Sequence, residues 1–410
     1  MTFFEELEYR GLVNDITSPE LVEKINNGGL TFYIGVDPTG DSLHIGHYQS
    51  VIAMTKRLLE HGHKPIIIAG GGTGLIGDPK PNVERPMISK EQVAHNIECI
   101  KKQISKIMGE EITIVNNADW LLEMNAVDFL RDFGKHFNIN YMINKDTVKR
   151  RLDIGITYTE FSYMILQSID FLKLYEKYGV TMQIGGQDQW GNITAGIELI
   201  RKIHGAECYG LTIPLVTKAD GTKFGKSEGK NVWLDPKKSS PYEFYQFFVN
   251  VADSDIANML KRLSMKSVDE IKQLIYQSET QPHLREAQKA LAMELTEIVH
   301  GKEGLQSALR ITDALFKGNI ADLTADEISQ AFKDAEKTTV SENTSLIDAL
   351  LQGKVCSSKR EAREFITSGS ISINGNKCQQ IDKVLTLQDT LDGKTIVIRK
   401  GKKNYSIFNI

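Results

Sequence analysis

Short apolar runs at 30–37, 65–70, 112–116, 180–185 and 211–215 alternate with stretches of helical pattern at 45–61, 90–107, 160–178 and 189–204. Most of the short runs are apolar on both faces, as in Pro65-Ile66-Ile67-Ile68-Ala69. Strands without a polar face, alternating with helices, predict a parallel sheet covered by helices on both sides. Ligands bind such sheets at the carboxyl ends of the strands, which is where Asp37, Asp78 and the segment Gly185 to Gln189 fall. Residues 1–29 read as two short helices, with Ser18-Pro19-Glu20 as a helix start.

The alternation is interrupted at 118–158, which looks mainly helical and reads as an insertion between two halves of the parallel-sheet fold. Residues 219–238 are rich in Lys, Gly, Asp and Ser, as in a mobile loop, and the pattern is helical from Pro241 to about Lys317. Residues 318–342 are polar, acidic and weakly periodic, which suits a linker. Beyond them, Ser357 to Ile366 reads as a capped basic helix, and Ser370 to Lys377 as a strand ending in an Asn-Gly hairpin turn. The expected fold is α/β. A Rossmann-like parallel-sheet domain spans 1–218, with its helical insertion at 118–158. A basic loop and α-helical domain follow over 219–320, a linker over 321–342 and a small α+β domain over 343–410.

At 410 residues the chain is long enough for two or three domains. No apolar stretch approaches the length needed to span a bilayer. The start Met1-Thr2-Phe3-Phe4-Glu5-Glu6 lacks the basic and apolar regions of a signal peptide. The cysteines Cys99, Cys208, Cys356 and Cys378 form no Cys-x-x-Cys pair, so they read as reduced thiols of a cytoplasmic protein without a zinc site. Thr344 to Ile410 carries eleven Lys and Arg against six Asp and Glu, a net +5, which leaves −9 for the rest of the chain. A basic module on an acidic body suits a polyanionic partner, and on charge alone a solvated surface explains it equally well.

Two short motifs carry candidate chemistry. His44-Ile45-Gly46-His47 lies at the start of a helix that follows a strand and turn. A helix start offers unpaired N–H groups and the positive end of a dipole, and histidines three apart can face one anion. Lys223-Phe224-Gly225-Lys226-Ser227 adds two cations around a glycine. Either motif alone is commonplace. In this order and context they suggest a nucleoside triphosphate held between a helix start and a basic loop.

The first motif resembles the HIGH signature of class I aminoacyl-tRNA synthetases, and the second a KFGKS form of their KMSKS loop. Further segments resemble the bacterial tyrosyl-tRNA synthetases: Asp37-Pro38-Thr39, Gly71 to Pro79, Tyr158 to Tyr163 and Gly185 to Asn192. The likeness runs in order through nearly the whole chain. It implies activation of L-tyrosine by ATP to tyrosyl-adenylate, with release of pyrophosphate, then transfer to the 3′ end of tRNA(Tyr). An ionised carboxylate is already a nucleophile. The first step therefore needs alignment and charge cancellation rather than a general base. By resemblance, His44, His47, Lys223 and Lys226 are the catalytic set. Gly35, Asp37, Thr39, Arg85 and Asp188 join His44, His47 and Lys226 in binding ATP. Tyr33 and Asp170 would hold the substrate phenol, Asp78, Tyr163 and Gln167 its ammonium, and Gln189 its carboxylate. The C-terminal unit resembles an S4 RNA-binding domain, with Lys359, Arg360 and Arg363 on the RNA-facing helix, where they would contact phosphates. A homodimer is implied through 118–158, where Phe129, Phe133, Phe137 and Ile139 are apolar, although ordinary core burial explains them equally well. Magnesium is expected with ATP, carried on the phosphates because no protein carboxylate cluster is evident.

The spacing of Tyr163, Gln167 and Asp170 lets one helix face present all three. Ile34 departs from the family, where many relatives place a thiol that touches the ribose. The loop Lys80 to Arg85 does not align cleanly with the family's basic loop, and Lys80 is assigned no role. A tryptophanyl sister enzyme, a non-catalytic RNA-binding paralogue and a small-molecule nucleotidyltransferase remain as alternatives. Tyr33 with Asp170, the presence of all the motif residues, and the basic tail argue against them in turn.

Overall fold

The computed structural model describes the chain except for residues 79–87, 110–111, 150–151, 153–154, 218–220, 223, 228–229, 334, 336 and 402–403, and the side chains of 146, 147, 226, 227 and 230. The chain divides into two compact units, Met1–Lys238 with Phe247–Leu295, and Ser239–Gln246 with Thr296–Ile410.

The first unit is built on six strands, β1 (Asp15–Ile16), β2 (Thr31–Val36), β3 (Lys64–Ala69), β4 (Thr113–Asn116), β5 (Met182–Gly186) and β6 (Tyr209–Ile213). Their order across the sheet is β1-β6-β5-β2-β3-β4. All neighbours are parallel except β1, which runs antiparallel to β6. From β2 the chain moves to β3 on one side, and from β5 to β6 on the other. The carboxyl ends of β2 and β5 therefore flank the point where the winding reverses, the place where such sheets open a crevice. The all-apolar runs behave as their composition requires: β6 is buried at every position and β3 at all but its first.

The helix expected at 45–61 is Ile45–His47 followed by a π-helical stretch, Tyr48–Met54, and then Thr55–Glu60. The wider π turn buries six of its seven residues, more than one face of an ordinary α-helix would. The helix Tyr158–Tyr178 starts at a capping box between Thr157 and Glu160 and buries Ile169, Phe171 and Leu174 against the sheet-side core. The insertion at 118–158 consists of short helical pieces, from Ala118–Leu121 to Asp146–Lys149. Phe129, Phe133 and Phe137 lean on the core, whereas Ile139 is exposed.

In the second unit, helices Leu346–Gln352 and Lys359–Thr367 pack Leu346, Leu350, Ala362 and Ile366 onto Ile371, Ile396, Ile398 and Phe408 of a five-stranded sheet. The expected Asn-Gly turn is present: Asn374 and Gly375 both have positive φ, 49° and 88°, as a two-residue hairpin loop requires. The segment expected as a linker, 321–342, is instead folded. It carries the helix Ala325–Ala331, capped by Thr324 and Glu327, and the strand Lys337–Thr339, which pairs parallel with Asn404–Asn409. Ile328 and Phe332 are buried with Ile311, Val397 and Ile407. Two apolar side chains one turn apart suffice to seat so short a helix, and they leave little periodicity in a polar sequence.

Candidate active site

The two distant motifs meet in the first unit. His44 is the N-cap of its helix; its Nδ1 accepts the Gly46 N–H at 3.0 Å, and His47 Nδ1 accepts the His44 N–H at 3.3 Å. The rings stack with centroids 4.0 Å apart. Ile45 N–H donates to Val232 O at 2.9 Å and His47 N–H to His44 O at 2.8 Å. The expectation of free N–H groups at this helix start is therefore corrected: all four donors are taken within the protein. Each ring's Nδ1 accepts, so a neutral ring at either position carries its proton on Nε2. Burial, and then the neighbouring His44, hold the His47 pKa down at about 3, so His47 is a neutral hydrogen-bond donor rather than a cation.

From the second motif, Gly225 packs onto the first. Its φ is +103°, and a Cβ there would lie 2.7 Å from Ile45 Cγ2. Only glycine meets both conditions without strain. Lys226–Ser227 pairs antiparallel with Lys230–Asn231. Lys223, Arg85 and Lys80, and the Lys226 side chain, lie outside the described residues.

A cavity of about 380 Å³ opens at the carboxyl ends of β2 and β5. Of the residues singled out in the sequence, Tyr33, Gly35, Asp37, Thr39 and His47 line it from the β2 side. Asp78, Tyr163, Gln167, Asp170, Asp188 and Gln189 line the remainder. The helix Tyr158–Tyr178 does present Tyr163, Gln167 and Asp170 together, as their spacing required. His44 reaches the wall through its stack on His47. A methyl at Gly35 would meet only Ile68, at 3.5 Å, so protein packing does not demand a glycine there and its open side faces the cavity.

At the cavity floor Asp170 is 3% exposed. Its Oδ2 accepts from Asn117 Nδ2 and its Oδ1 from Trp120 Nε1, both at 2.8 Å. Burial pushes its pKa up to about 7; the Asn117 and Trp120 donors oppose that rise, and the charge of Asp37 adds to it. Asn117 is itself fixed by Thr73 Oγ1 at 2.9 Å and by the Gly72 N–H at 2.7 Å. Beside this network the Tyr33 hydroxyl is buried without a hydrogen-bond partner, its ring set edge-on to Phe171 at 5.2 Å. Burial, and then Asp170, raise the Tyr33 pKa far above that of a free phenol, so it stays a neutral donor. An orphaned buried hydroxyl is costly, and Tyr33 is one of the residues that line the cavity.

At the mouth, Gln189 Nε2 donates to Asp78 Oδ2 at 2.8 Å and to Asp188 Oδ2 at 3.0 Å. Asn192 Nδ2 links Gln167 Oε1 and Gln189 Oε1, both at 3.1 Å. Sequence reasoning missed Asn117 and Trp120, and gave no role to Thr73 and Asn192 although both lie in segments it singled out. The first two follow the carboxyl end of β4, a position that could have flagged them.

In the second unit Lys359, Arg360 and Arg363 are exposed on the helix Lys359–Thr367, and Lys359 pairs with Asp348 at 3.0 Å.

A parallel sheet with this crevice, and a stacked histidine pair at the helix that follows β2, define a class that comparison with known proteins identifies. The family model described as tRNA synthetases class I (W and Y) matches residues 25–317. A model of the tyrosine–tRNA ligase SYY-like C-terminal domain matches residues 327–408. The chain is 50% identical over 414 residues to tyrosine–tRNA ligase 1 of Bacillus cereus, covering 99% of each protein. It is 48% identical to the tyrosine–tRNA ligase of Staphylococcus carnosus, over 98% of this chain and 97% of that one. Among solved structures it resembles a C-terminally truncated mitochondrial tyrosyl-tRNA synthetase of Coccidioides posadasii. There the TM-score is 0.66 and the identity 30%, over 76% of this chain and 91% of that one. The chain belongs to the tyrosine–tRNA ligases.

Proposed function

We propose that the chain activates L-tyrosine with ATP to tyrosyl-adenylate and pyrophosphate, and passes the tyrosyl group to the 3′ end of tRNA(Tyr). One observation carries the substrate reading: the cavity floor offers both an acceptor, Asp170, and a donor, Tyr33. A phenol hydroxyl donates and accepts at once. An indole N–H only donates and a phenyl ring does neither, so tryptophan or phenylalanine would leave a buried group unpaired. Discrimination of tyrosine from phenylalanine by such a site is a worked example in general accounts of specificity. Asp78, Tyr163 and Gln167 would take the ammonium and Gln189 the carboxylate, with Asp188 on the ribose. Gly35, Asp37 and Thr39 would lie along the phosphates. His44 and His47 would donate from Nε2 to oxygens on which charge grows, and Lys223 and Lys226 would add positive charge to the leaving pyrophosphate. Arg85 would serve the same end.

Among the described residues no three or more His, Cys, Asp or Glu side chains gather to hold a metal. Magnesium would come with ATP, where it would ease the charge of the phosphates. The exposed apolar residues Leu122, Val127, Leu130, Ile139 and Tyr141 suit a homodimer contact through the insertion. Lys359, Arg360 and Arg363 suit phosphate contacts with tRNA. The four cysteines are free thiols, as suits a cytoplasmic site of action. The test is charging of tRNA(Tyr) with labelled tyrosine by purified protein. Stable tyrosyl-tRNA is the expected product, and bound but uncharged tRNA would favour a non-catalytic RNA-binding protein.

Tyrosine affinity should depend on pH through Asp170. Its pKa lies near 7 in the folded protein, and the phenol donates best to the ionised carboxylate. Affinity therefore rises with pH, by about tenfold between pH 6 and 8, and levels off above. Calorimetric titration at several pH values checks this, and Asp170→Asn should flatten the profile. Gly225→Ala should leave tyrosine affinity unchanged but slow adenylate formation about tenfold, because its backbone strain of about 1–3 kcal/mol falls where the two motifs touch. Single-turnover kinetics reads that difference.

A further inference from the structure

Residues outside the cavity grip the histidine pair. Leu43 to Ile45 and Val232 to Leu234 form a short antiparallel ladder. Ile45 N–H donates to Val232 O and Leu234 N–H to Leu43 O, each at 2.9 Å, and this sets Trp233 opposite His44. The Trp233 indole meets the His44 ring edge-on, with centroids 6.0 Å apart, and His44 also stacks on His47. Lys238 lies over the Trp233 ring, its Nζ 4.8 Å from the centroid, and the same Nζ pairs with the Asp41 carboxylate. Asp41 belongs to the turn that delivers His44, three residues on. Contacts thus run in a closed ring from Asp41 through Lys238 and Trp233 to His44 and back along the chain.

We propose that Trp233, Lys238 and Asp41 form a clasp that fixes the orientation of the His44–His47 pair, and that they are positioning residues for adenylate formation. This rests on the reading that the two histidines act on ATP. None of the three lines the cavity, and their contact with the histidine pair is that of Trp233 with His44. An imidazole held by its Nδ1 and by one stacked face can still tilt about that contact, and a second ring packed against it restricts that freedom. Small misplacements of a donor are costly in rate. The Lys238 and Asp41 side chains are 31% and 39% exposed. A pair so open to solvent adds little to stability, so its value lies in where it holds the lysine. A lysine over an indole face is attracted by the ring quadrupole, which makes one cation serve both sides of the clasp.

The test is single-turnover adenylate formation in the full-length protein, with tyrosine affinity measured separately. Trp233→Leu and Lys238→Met should each slow the step about tenfold or more, with tyrosine affinity unchanged. Lys238→Arg, which keeps the cation over the ring, should restore most of the rate. Asp41→Asn combined with Lys238→Met should be no slower than Lys238→Met alone, because both break one device. Lys238→Met sits at a partly exposed position and keeps the test open if Trp233→Leu fails to fold. The clasp is overturned if Lys238→Met keeps the full rate, or if Lys238→Arg is as slow as Lys238→Met. A His47→Ala control run alongside separates the two readings. If it is slow while Lys238→Met is not, the clasp alone fails. If it too keeps the full rate, the role given to the histidines fails, and the clasp with it.

Discussion

Replacing Asp170 by asparagine lowers kcat/KM for tyrosine by about a hundredfold or more, the cost expected when a buried charged acceptor is lost and its donors are left opposed. The carboxylate receives Asn117 Nδ2 on one oxygen and Trp120 Nε1 on the other. An amide can satisfy only one of these donors and sets its own N–H₂ against the second. It also offers the phenol a weaker acceptor. The loss should appear mainly as weaker tyrosine binding, since the contact exists before and during the reaction. Tyr33→Phe removes an orphaned hydroxyl and so should leave the fold intact. It should narrow the preference for tyrosine over phenylalanine by less than Asp170→Asn does. Parallel measurement of kcat/KM for both amino acids checks the order.

Loss of the His47 imidazole should act on the other half of the reaction. His47→Ala should slow adenylate formation by about 10²–10³-fold, the usual cost of removing a preorganised donor to developing charge. Tyrosine affinity should stay within a factor of about two, because the proposed phenol partners are Tyr33 and Asp170 and not His47. The protonation state sharpens this expectation. With the His47 pKa held at about 3 by burial and by His44, the ring is neutral from pH 5 upward. The rate in the native protein should therefore show no titration of His47 near pH 6.5, as it would if a cationic ring were required there. The same depression bears on stability. Between about pH 6.5 and 3 the unfolded chain binds a proton that buried His47 does not, so this group's contribution falls as the pH drops through that window. Asp170 acts in the opposite sense. Its raised pKa means the folded chain holds the extra proton between about pH 4 and 7, so its ionisation costs stability as the pH rises there.

Apolar periodicity revealed the parallel sheet because strands buried on both faces leave an unambiguous trace, as in β3 and β6. β1 escaped because two residues carry no period, and its place is set by pairing with β6. The helix Ala325–Ala331 and the strand Lys337–Thr339 escaped for a related reason: each is seated by a few long-range contacts in a polar segment. At the site, residues on recognisable motifs were legible one by one, and the cavity gathers eleven of those singled out. What the sequence could not show is what partners those residues have. Whether the helix start keeps free N–H groups depends on Val232, nearly two hundred residues away. The state of Asp170 depends on Asn117 and Trp120, which belong to no motif.

Amino-acid-dependent ATP–pyrophosphate exchange, with tyrosine, phenylalanine and tryptophan side by side, tests the proposed chemistry most directly. Exchange with tyrosine alone is the expected result, since only a phenol satisfies both Tyr33 and Asp170. Exchange with tryptophan would contradict the reading of the cavity floor. Absence of exchange from folded protein would contradict the reaction itself.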